Sequence, residues 1–305
     1  MKVVLAFSGG LDTSFCAVYL SRDKGFDVHA LMVNTGGFSE TEISRIQQHA
    51  QALGVSSFKS IDAKEQYYQS VIKYMVFGNV LRNNTYPLSV SAERTVQAIA
   101  IAQYAKEIGA DYVAHGSTGA GNDQVRFDMV FQILIPHVKV ITPIRDLKLS
   151  REEEIQYLQK FGIQMNFEKV AYSINKGIWG TFVGGKETLT SRMPLPESAF
   201  PSPLLAQTPM DIRLKFVKGE LLGVDNIDYS YSVDAIQALQ KVAEPFAIGR
   251  DIHVGDTIIG IKGRVGFEAA VPLLIIKAHH LLEKHTLTNL TPINLLYYLT
   301  LIMIQ

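Results

Sequence analysis

The first half of the chain alternates short apolar runs with segments of helical periodicity. The apolar runs predict five buried strands, at Lys2–Phe7, Asp27–Val33, Ser57–Ile61, Asp111–Ala114 and Val138–Thr142. The helical spacing predicts helices at Thr13–Lys24, Thr41–Leu53, Lys64–Val80, Val90–Ile108 and from the capping box Ser150–Glu153 to Gly162. Strands separated by helices pair in parallel, so this half predicts an α/β fold with a parallel sheet covered by helices on both faces.

The second half has a different pattern, which predicts an α+β domain. A segment rich in Gly, Ser, Thr and Pro at Ala171–Pro203 predicts a long ordered loop. Further along, the pattern predicts two strands around a turn in Arg213–Val224, a helix at Val233–Ala243, a bent strand or hairpin at Asp256–Ala270 and a helix at Pro272–Lys284. We therefore predict an α/β domain at residues 1–165, an α+β domain at 166–288 and an apolar tail at 289–305.

Composition narrows the class of protein. Of 305 residues, 47% are apolar, which indicates a large core, and 29 basic residues balance 29 acidic ones. A neutral chain argues against nucleic acid as a partner, because binding to the phosphate backbone needs a basic excess. The single cysteine, Cys16, excludes an internal disulfide and a cysteine-based metal site.

Two terminal segments bear on location. The apolar run at the N-terminus is too short for the core of a signal peptide, so we expect a cytoplasmic protein. The uncharged segment from Thr286 to Gln305 is densely apolar only over Leu295–Ile304, which is too short to span a bilayer. We therefore expect no membrane partner.

The segment Ser8-Gly9-Gly10-Leu11-Asp12-Thr13-Ser14 lies between a predicted strand and a predicted helix. Backbone amides at a helix N-terminus, with three hydroxyl groups nearby, suit a phosphate anion. The two glycines allow the backbone to approach the ligand closely. A plain capped turn is the alternative, but it would not require the whole segment. Neither of the two common nucleotide-binding glycine motifs occurs here.

A second motif, Ala114-His115-Gly116-Ser117-Thr118-Gly119-Ala120-Gly121-Asn122-Asp123-Gln124-Val125-Arg126-Phe127, follows another predicted strand. The two motifs together resemble the signatures of the argininosuccinate synthase family, within the ATP pyrophosphatase superfamily. Weaker likenesses occur at Val140–Arg145, Tyr172–Asn175 and Ile259–Arg264, so the resemblance covers roughly residues 2–288. It implies an adenine-nucleotide α-hydrolase-like sheet followed by a synthetase domain.

The resemblance also implies roles for individual residues. It assigns ATP to Ala6, Phe7, Ser8, Gly9, Gly10, Leu11, Asp12, Thr13, Ser14, Val33 and Gly116. It assigns L-aspartate to Thr118, Asn122 and Asp123, and citrulline to Tyr86, Ser91, Asn122, Arg126 and Ser173. Catalytic roles fall to Asp12, Asp123 and Arg126. Residue type agrees, because the Asp123 carboxylate suits an ammonium group and the Thr118 hydroxyl suits a carboxylate.

The reaction that this resemblance implies joins citrulline to aspartate with ATP as co-substrate and Mg²⁺ on its phosphates. The citrulline ureido oxygen would be adenylated with release of pyrophosphate, and the aspartate amine would then displace AMP. Family members form homotetramers. They continue beyond Leu287 for about a quarter of their length, so we expect a truncated chain with poor solubility and weak or absent tetramer formation.

Three alternatives stay open at this point. Where family members carry a glutamate, a tyrosine, a serine and a lysine, this chain has Gly255, Phe267, Phe182 and Ala120. Gly255 is expected to open space at its position, and an apolar, uncharged site of this kind favours an N-acylated citrulline over the free amino acid. The chain could also be an inactive nucleotide-binding relic. A tRNA thiolase with the same loop is the third alternative, but the single cysteine and the neutral charge count against it.

Overall fold

The computed structural model describes residues 1–119, 121–164 and 172–288. They divide into two units. The first comprises Met1–Ala63, Glu93–Ala171 and Asp256–Lys262, and the second comprises Lys64–Ala92, Tyr172–Gly255 and Gly263–Gln305. The boundary at residues 165 and 166 stays a prediction, and both Ala120 and the tail at 289–305 lie outside the described residues.

The strands and helices are numbered in chain order. The strands are β1 Lys2–Ala6, β2 Asp27–Asn34, β3 Ser57–Asp62, β4 Tyr112–Ala114, β5 Lys139–Ile141, β6 Ser173–Gly177, β7 Gly180–Gly184, β8 Leu214–Val217, β9 Glu220–Val224, β10 Ile227–Asp228, β11 Arg250–Asp256 and β12 Lys262–Glu268. The α-helices are α1 Leu11–Val18, α2 Glu40–Ala52, α3 Lys64–Tyr67, α4 Lys73–Phe77, α5 Ser89–Glu107, α6 Asp123–Leu134, α7 Pro143–Leu147, α8 Arg151–Lys160, α9 Ser232–Ala243 and α10 Ala270–Thr286.

The first unit contains a five-stranded parallel sheet in the order β3-β2-β1-β4-β5. Val3, Val4 and Leu5 of the central strand β1 are fully buried, as expected for a strand covered on both faces. Helices α1 and α8 pack together, and Phe15 and Leu158 join Leu5 in one apolar core. The predicted α/β class is therefore confirmed.

Several predicted helices are present with altered geometry or bounds. A π-helical turn at Tyr19–Asp23 extends α1, and another at Tyr68–Ile72 joins α3 to α4. The predicted capping box at the start of α8 is confirmed, because Ser150 and Glu153 each bond the other's backbone amide. Helices α6 and α7 are not among the sequence predictions. The first lies beside a glycine-rich loop, and the second is a five-residue helix that begins at Pro143.

The second unit contains two antiparallel sheets with helices, in the orders β10-β9-β8 and β11-β12-β7-β6. The α+β pattern predicted for the second half is confirmed. The prediction of a loop over the whole of Ala171–Pro203 is wrong, since β6 and β7 form a hairpin there. The glycines and polar residues of β6 and β7 obscure the alternating pattern of a strand. Pairing of β7 with β12 places Phe182 opposite Phe267 and holds the hairpin in place.

The predicted hairpin in Asp256–Ala270 is confirmed, but its first strand begins earlier, at Arg250. The turn between β8 and β9 also occurs as predicted, with Lys218 and Gly219 both at positive φ, at 52° and 85°. Trp179 is fully buried, and its Nε1 donates to the carbonyl oxygen of Pro87 at 3.0 Å. Trp179 is therefore a packing residue of this unit. In the part of the chain that the structure describes, no helix is both long enough and apolar enough to span a membrane.

The capping box yields a prediction about local stability. Replacing Ser150 by Ala removes the oxygen that accepts from the Glu153 amide, and the loss of such a cap costs about 1 kcal/mol. Amides in the first turns of α8 should then exchange about fivefold faster with solvent deuterium. The control is Ser44→Ala, which changes an exposed serine inside α2 and should leave exchange in α8 unaltered. Equal exchange rates in all three proteins would contradict the capping role.

Candidate functional site

The order of the parallel sheet reverses at its central pair of strands. The chain runs from β1 to β2 and β3 on one side, whereas β4 and β5 lie on the other side. Because β1 and β4 are parallel neighbours, with Leu5 opposite Ala114, both strands end at the same edge of the sheet. Open α/β sheets bind ligands at this kind of switch point. The first sequence motif follows β1, and the second follows β4.

The first loop leaves the backbone amides at the start of α1 without a side-chain cap. Gly9 has a φ of 75°, and a Cβ atom there would lie 3.2 Å from Cγ1 of Ile46, so this position requires glycine. Gly10 precedes α1 in an extended conformation, and no side chain caps the helix. The Ser8 and Thr13 hydroxyl groups lie 3.3 Å apart beside these amides. This loop presents helix amides and hydroxyl groups, as a phosphate site requires.

The remaining residues assigned to ATP lie on the strands or beneath the loop. Ala6 ends β1, and the Phe7 amide donates to the Leu31 carbonyl at 2.9 Å. Leu11 is buried at the start of α1. Val33 pairs with Ile61 near the end of β2, and its assignment to adenine stays a prediction.

Ser14 links the start of α1 to helix α2. Its side chain is fully buried, and Oγ lies 2.8 Å from Nε2 of His49 on α2. Burial lowers the pKa of His49, which favours a neutral imidazole. The Ser14 hydroxyl therefore has a protein partner in this structure, and its assignment to phosphate stays a prediction.

The two motifs meet at Asp12 and Gly116. A Cβ atom at Gly116 would lie 3.1 Å from Cβ of Asp12 and 3.3 Å from its carbonyl carbon. This is closer than ordinary contact between side chains, so any larger residue would push the two loops apart by a few tenths of an ångström. The structure therefore brings together Asp12 and Gly116, two residues from motifs that are about a hundred positions apart in sequence.

The second loop is anchored by a network that sequence analysis missed. Nε2 of His115 lies 3.1 Å from Oδ1 of Asp128, and Nη1 of Arg145 donates to Oδ2 of the same carboxylate at 2.7 Å. Burial raises the pKa of Asp128, but hydrogen bonds from His115 and Arg145 outweigh it and lower the pKa overall. Gln124 joins this network by accepting from Arg145 at 3.0 Å and donating to the Gly119 carbonyl. In the sequence, the spacing of Gln124 and Asp128, one helical turn apart, could have indicated this network.

Asp123 lies between two guanidinium groups at the start of α6. Nε of Arg94 donates to its Oδ2 at 3.0 Å, and Nη1 of Arg126 donates to its Oδ1 at 3.3 Å. Arg94 also donates to Gln97 at 2.7 Å, which fixes the orientation of its side chain. The sequence analysis named Asp123 and Arg126 but missed Arg94, because helix α5 is remote from the second motif in sequence.

The other residues assigned to aspartate lie close to Asp123 in the chain. Asn122 precedes α6, and its Oδ1 accepts from the Ile258 amide at 2.6 Å. Thr118 is exposed in the loop. The first unit thus gathers residues assigned to ATP and to aspartate at one edge of its sheet.

Glu93, beside Arg94, is a buried acid that sequence analysis also missed. It is 1% exposed and accepts a hydrogen bond from the Thr35 hydroxyl at 2.9 Å. Burial raises its pKa to about 7, although Arg94 opposes this shift. An acid between the buried Val90 and Val96 of the same helix was the available sequence signal.

The second unit carries the other residues assigned to citrulline. Tyr86 is buried, and its ring stacks on His253 at 4.7 Å and packs against Phe267 at 5.1 Å between centroids. Asn83 and Asn84, both at positive φ, form the turn that joins Arg82 to Tyr86. Ser91 is half-buried in the first turn of α5, and Ser173 is exposed at the start of β6.

Two of the departures from the family pattern have structural explanations in this unit. A Cβ atom at position 255 would lie 2.6 Å from Nε2 of His253, so Gly255 leaves room for that imidazole rather than for a ligand. Phe267 is fully buried beneath Tyr86. The expectation that Gly255 opens space is therefore wrong, and neither residue supports an N-acylated substrate.

A parallel sheet with a glycine-rich loop at its switch point defines a nucleotide-binding α/β domain. Residues 2–164 match the family model described as the Arginosuccinate synthase N-terminal HUP domain, and residues 172–292 match the Arginosuccinate synthase C-terminal domain.

Curated relatives agree with these models. The argininosuccinate synthase of Methanocaldococcus jannaschii is 36% identical over 289 residues, which cover 94% of this chain and 72% of the relative. That of Xylella fastidiosa is 35% identical over 300 residues, which cover 94% and 73% respectively. That of Dictyoglomus turgidum is 36% identical over 284 residues, which cover 92% and 71%. The chain belongs to the argininosuccinate synthase family, as its two motifs predict.

The contact between the two loops yields a prediction about ATP affinity. Gly116→Ala adds a methyl group 3.1 Å from Cβ of Asp12, and overpacking of this kind costs about 1–3 kcal/mol. Affinity for ATP, measured by calorimetry, should fall roughly tenfold as the loops separate. Gly121→Ala is the matched control, because its nearest neighbour would be 4.0 Å away, and it should bind ATP normally. Unchanged affinity in Gly116→Ala would contradict the role given to this contact.

Proposed function

We propose that the protein is an argininosuccinate synthase, a ligase that joins citrulline and L-aspartate with ATP. The observation that carries this proposal is the approach of Gly116 to Asp12, which unites the two family motifs at the switch point of the sheet. Membership of the family and the names of the relatives support the same reaction. It would serve arginine biosynthesis.

The phosphates of ATP would lie in the loop from Ser8 to Ser14. The amides at the start of α1 would face the phosphate oxygens, and the Ser8 and Thr13 hydroxyl groups would donate to them. Val33 would contact the adenine through its backbone, and Gly116 would close the site from the second loop. Mg²⁺ would enter as part of the substrate, as the MgATP complex, and would neutralise part of the phosphate charge.

The reaction would proceed in two displacements. The ureido oxygen of citrulline attacks the α-phosphorus of ATP, the bond to the β-phosphate oxygen breaks, and pyrophosphate leaves. The aspartate ammonium group gives up one proton to solvent, and the neutral amine then attacks the activated ureido carbon, the bond from that carbon to the adenylate oxygen breaks, and AMP leaves. Both steps need reactants held in line and stabilisation of negative charge, so catalysis depends on positioning and electrostatics.

The charges around Asp123 suit an amino acid with two carboxylates. Arg94 and Arg126 place two guanidinium groups against the Asp123 carboxylate, with Glu93 3.8 Å from Arg94, and the fixed donors of a guanidinium group suit a substrate carboxylate. The Asp123 carboxylate would accept from the aspartate ammonium group, and Thr118 and Asn122 would complete the site. Arg126, with Tyr86, Ser91, Asn122 and Ser173, is assigned to citrulline by the family resemblance.

Pyrophosphate release by the purified protein tests the proposed function. With MgATP, citrulline and aspartate present, we expect pyrophosphate and argininosuccinate in equal amounts. Without aspartate, adenylation alone should release pyrophosphate. Without citrulline, no pyrophosphate should be released. Binding of ATP without any pyrophosphate release would reject the ligase and favour an inactive nucleotide-binding protein.

A conservative change at Arg94 tests the assignment of aspartate. In Arg94→Lys the charge is kept, but an ammonium group cannot bond Asp123 and Gln97 together as the guanidinium does. We expect the KM for aspartate to rise about tenfold, while ATP affinity stays the same. The control is Lys106→Ala, an exposed position at the other end of the same helix. A loss of ATP affinity with an unchanged KM for aspartate would contradict the assignment.

A further inference from the structure

One face of helix α2 packs against the phosphate loop, Ser8–Ser14. Ile46 and His49 lie on this face one helical turn apart, and both are half-buried. Ala50 and Leu53, on the same side of the helix, are buried in the apolar core beneath the sheet. The packing of Ala50 and Leu53 therefore fixes where Ile46 and His49 lie.

His49 contacts the chain at both ends of the phosphate loop. Its Nε2 lies 2.8 Å from Oγ of Ser14, the last residue of the loop. Its ring stacks on Phe7, which immediately precedes the loop, at 6.4 Å between centroids and with 28° between the ring planes. Between these two contacts, a Cβ atom at Gly9 would lie 3.2 Å from Cγ1 of Ile46. Two side chains of α2 thus lie against the loop before, within and after its glycines.

The hydrogen bond between His49 and Ser14 holds the first turn of α1. The Ser14 amide donates to the Gly10 carbonyl at 2.9 Å, so Ser14 belongs to the turn that presents the helix amides. Ser14 is fully buried, and water cannot replace its partner. Burial lowers the pKa of His49, and a neutral imidazole has one donor and one acceptor nitrogen, so it can pair with a hydroxyl group.

We propose that His49 is a positioning residue for the phosphates of ATP, which acts by holding the side chain of Ser14. With Ser14 held, the amides that follow Gly10 stay directed at the phosphate site. This inference rests on the proposed function, because it requires the phosphates of ATP to bind at this loop. His49 lies outside both family motifs, 35 positions from Ser14 in sequence.

Loss of this hydrogen bond should weaken the binding of phosphate groups selectively. Without His49, the buried Ser14 hydroxyl group has no partner, so the first turn of α1 shifts and the binding-competent loop is less populated. The apparent affinity falls by the same fraction, and we expect a fall of about tenfold for ATP and for pyrophosphate. Adenosine, which has no phosphate, should bind as before.

Two substitutions at position 49 separate the hydrogen bond from the packing of the ring. His49→Phe keeps a ring against Phe7 but cannot bond Ser14. His49→Gln loses the ring, but its amide lies near the position of Nε2 and keeps the bond. Calorimetry with ATP and pyrophosphate should show the fall of about tenfold in His49→Phe, and affinities within about twofold of the wild type in His49→Gln.

The matched control is His137→Phe. It is the same substitution at an exposed histidine that precedes β5, at the opposite edge of the sheet, and it should bind both ligands as the wild type does. Binding of adenosine, followed by NMR titration, should be equal in all four proteins.

A double-mutant cycle tests whether His49 acts through Ser14. In Ser14→Ala no hydroxyl group is left unpaired, so adding His49→Phe should change the affinity for pyrophosphate by less than about twofold. A further fall of about tenfold in the double variant would show that His49 does not act through Ser14 and would overturn the proposal.

The outcomes separate this proposal from the proposed function. Unchanged affinities in His49→Phe, an equal fall in His49→Phe and His49→Gln, or an equal loss of adenosine and pyrophosphate binding overturns the role of His49 alone. Failure of the wild-type protein to bind both ATP and pyrophosphate overturns the nucleotide site and this proposal together. If His49→Phe does not fold, His49→Asn replaces it, because its shorter amide reaches the position of Nδ1 but not Ser14.

Discussion

The hydrogen-bonded pairing of β1 with β4 is the constraint on which the candidate site depends. These two strands are neighbours in the sheet, but they are separated in the chain by β2, β3 and several helices. Their parallel register brings both ends to one edge, and each is followed by one of the two family motifs. The buried side chains of β1 hold this register, because a shift by one residue would carry the exposed Lys2 into the position of a buried valine.

Acidic groups in the first unit lie in two kinds of environment. Guanidinium or imidazole groups lie against the carboxylate oxygens of Asp123 and Asp128. Glu93 is buried beside a single hydroxyl donor and Arg94, so its pKa rises. Glu154 is buried on α8, and burial raises its pKa to about 8. A ligand with several negative charges can approach this edge because few of these acids present an uncompensated charge.

The second unit organises Tyr86 by packing rather than by charge. Trp179 holds the Pro87 carbonyl, and the hydroxyl of Tyr67 donates to the Ser89 carbonyl at 2.9 Å, so the loop after Tyr86 is fixed on two sides. The Tyr86 ring lies against His253 and Phe267. Phe267 thus packs against Tyr86, and Gly255 leaves room for the His253 ring that stacks on it.

Local pattern determined much of this protein. The apolar runs predicted the five parallel strands, Ser150 and Glu153 predicted the cap of α8, and the motifs at Ser8–Ser14 and Ala114–Phe127 predicted the family. Each of these signals lies within a few consecutive residues. Only the tertiary structure decided the hairpin of β6 and β7, the contact of Gly116 with Asp12, the pairing of Arg94 with Asp123 and the burial of Glu154. Each of these arrangements is stabilised by residues that are distant in sequence, and no local sequence pattern identifies those residues.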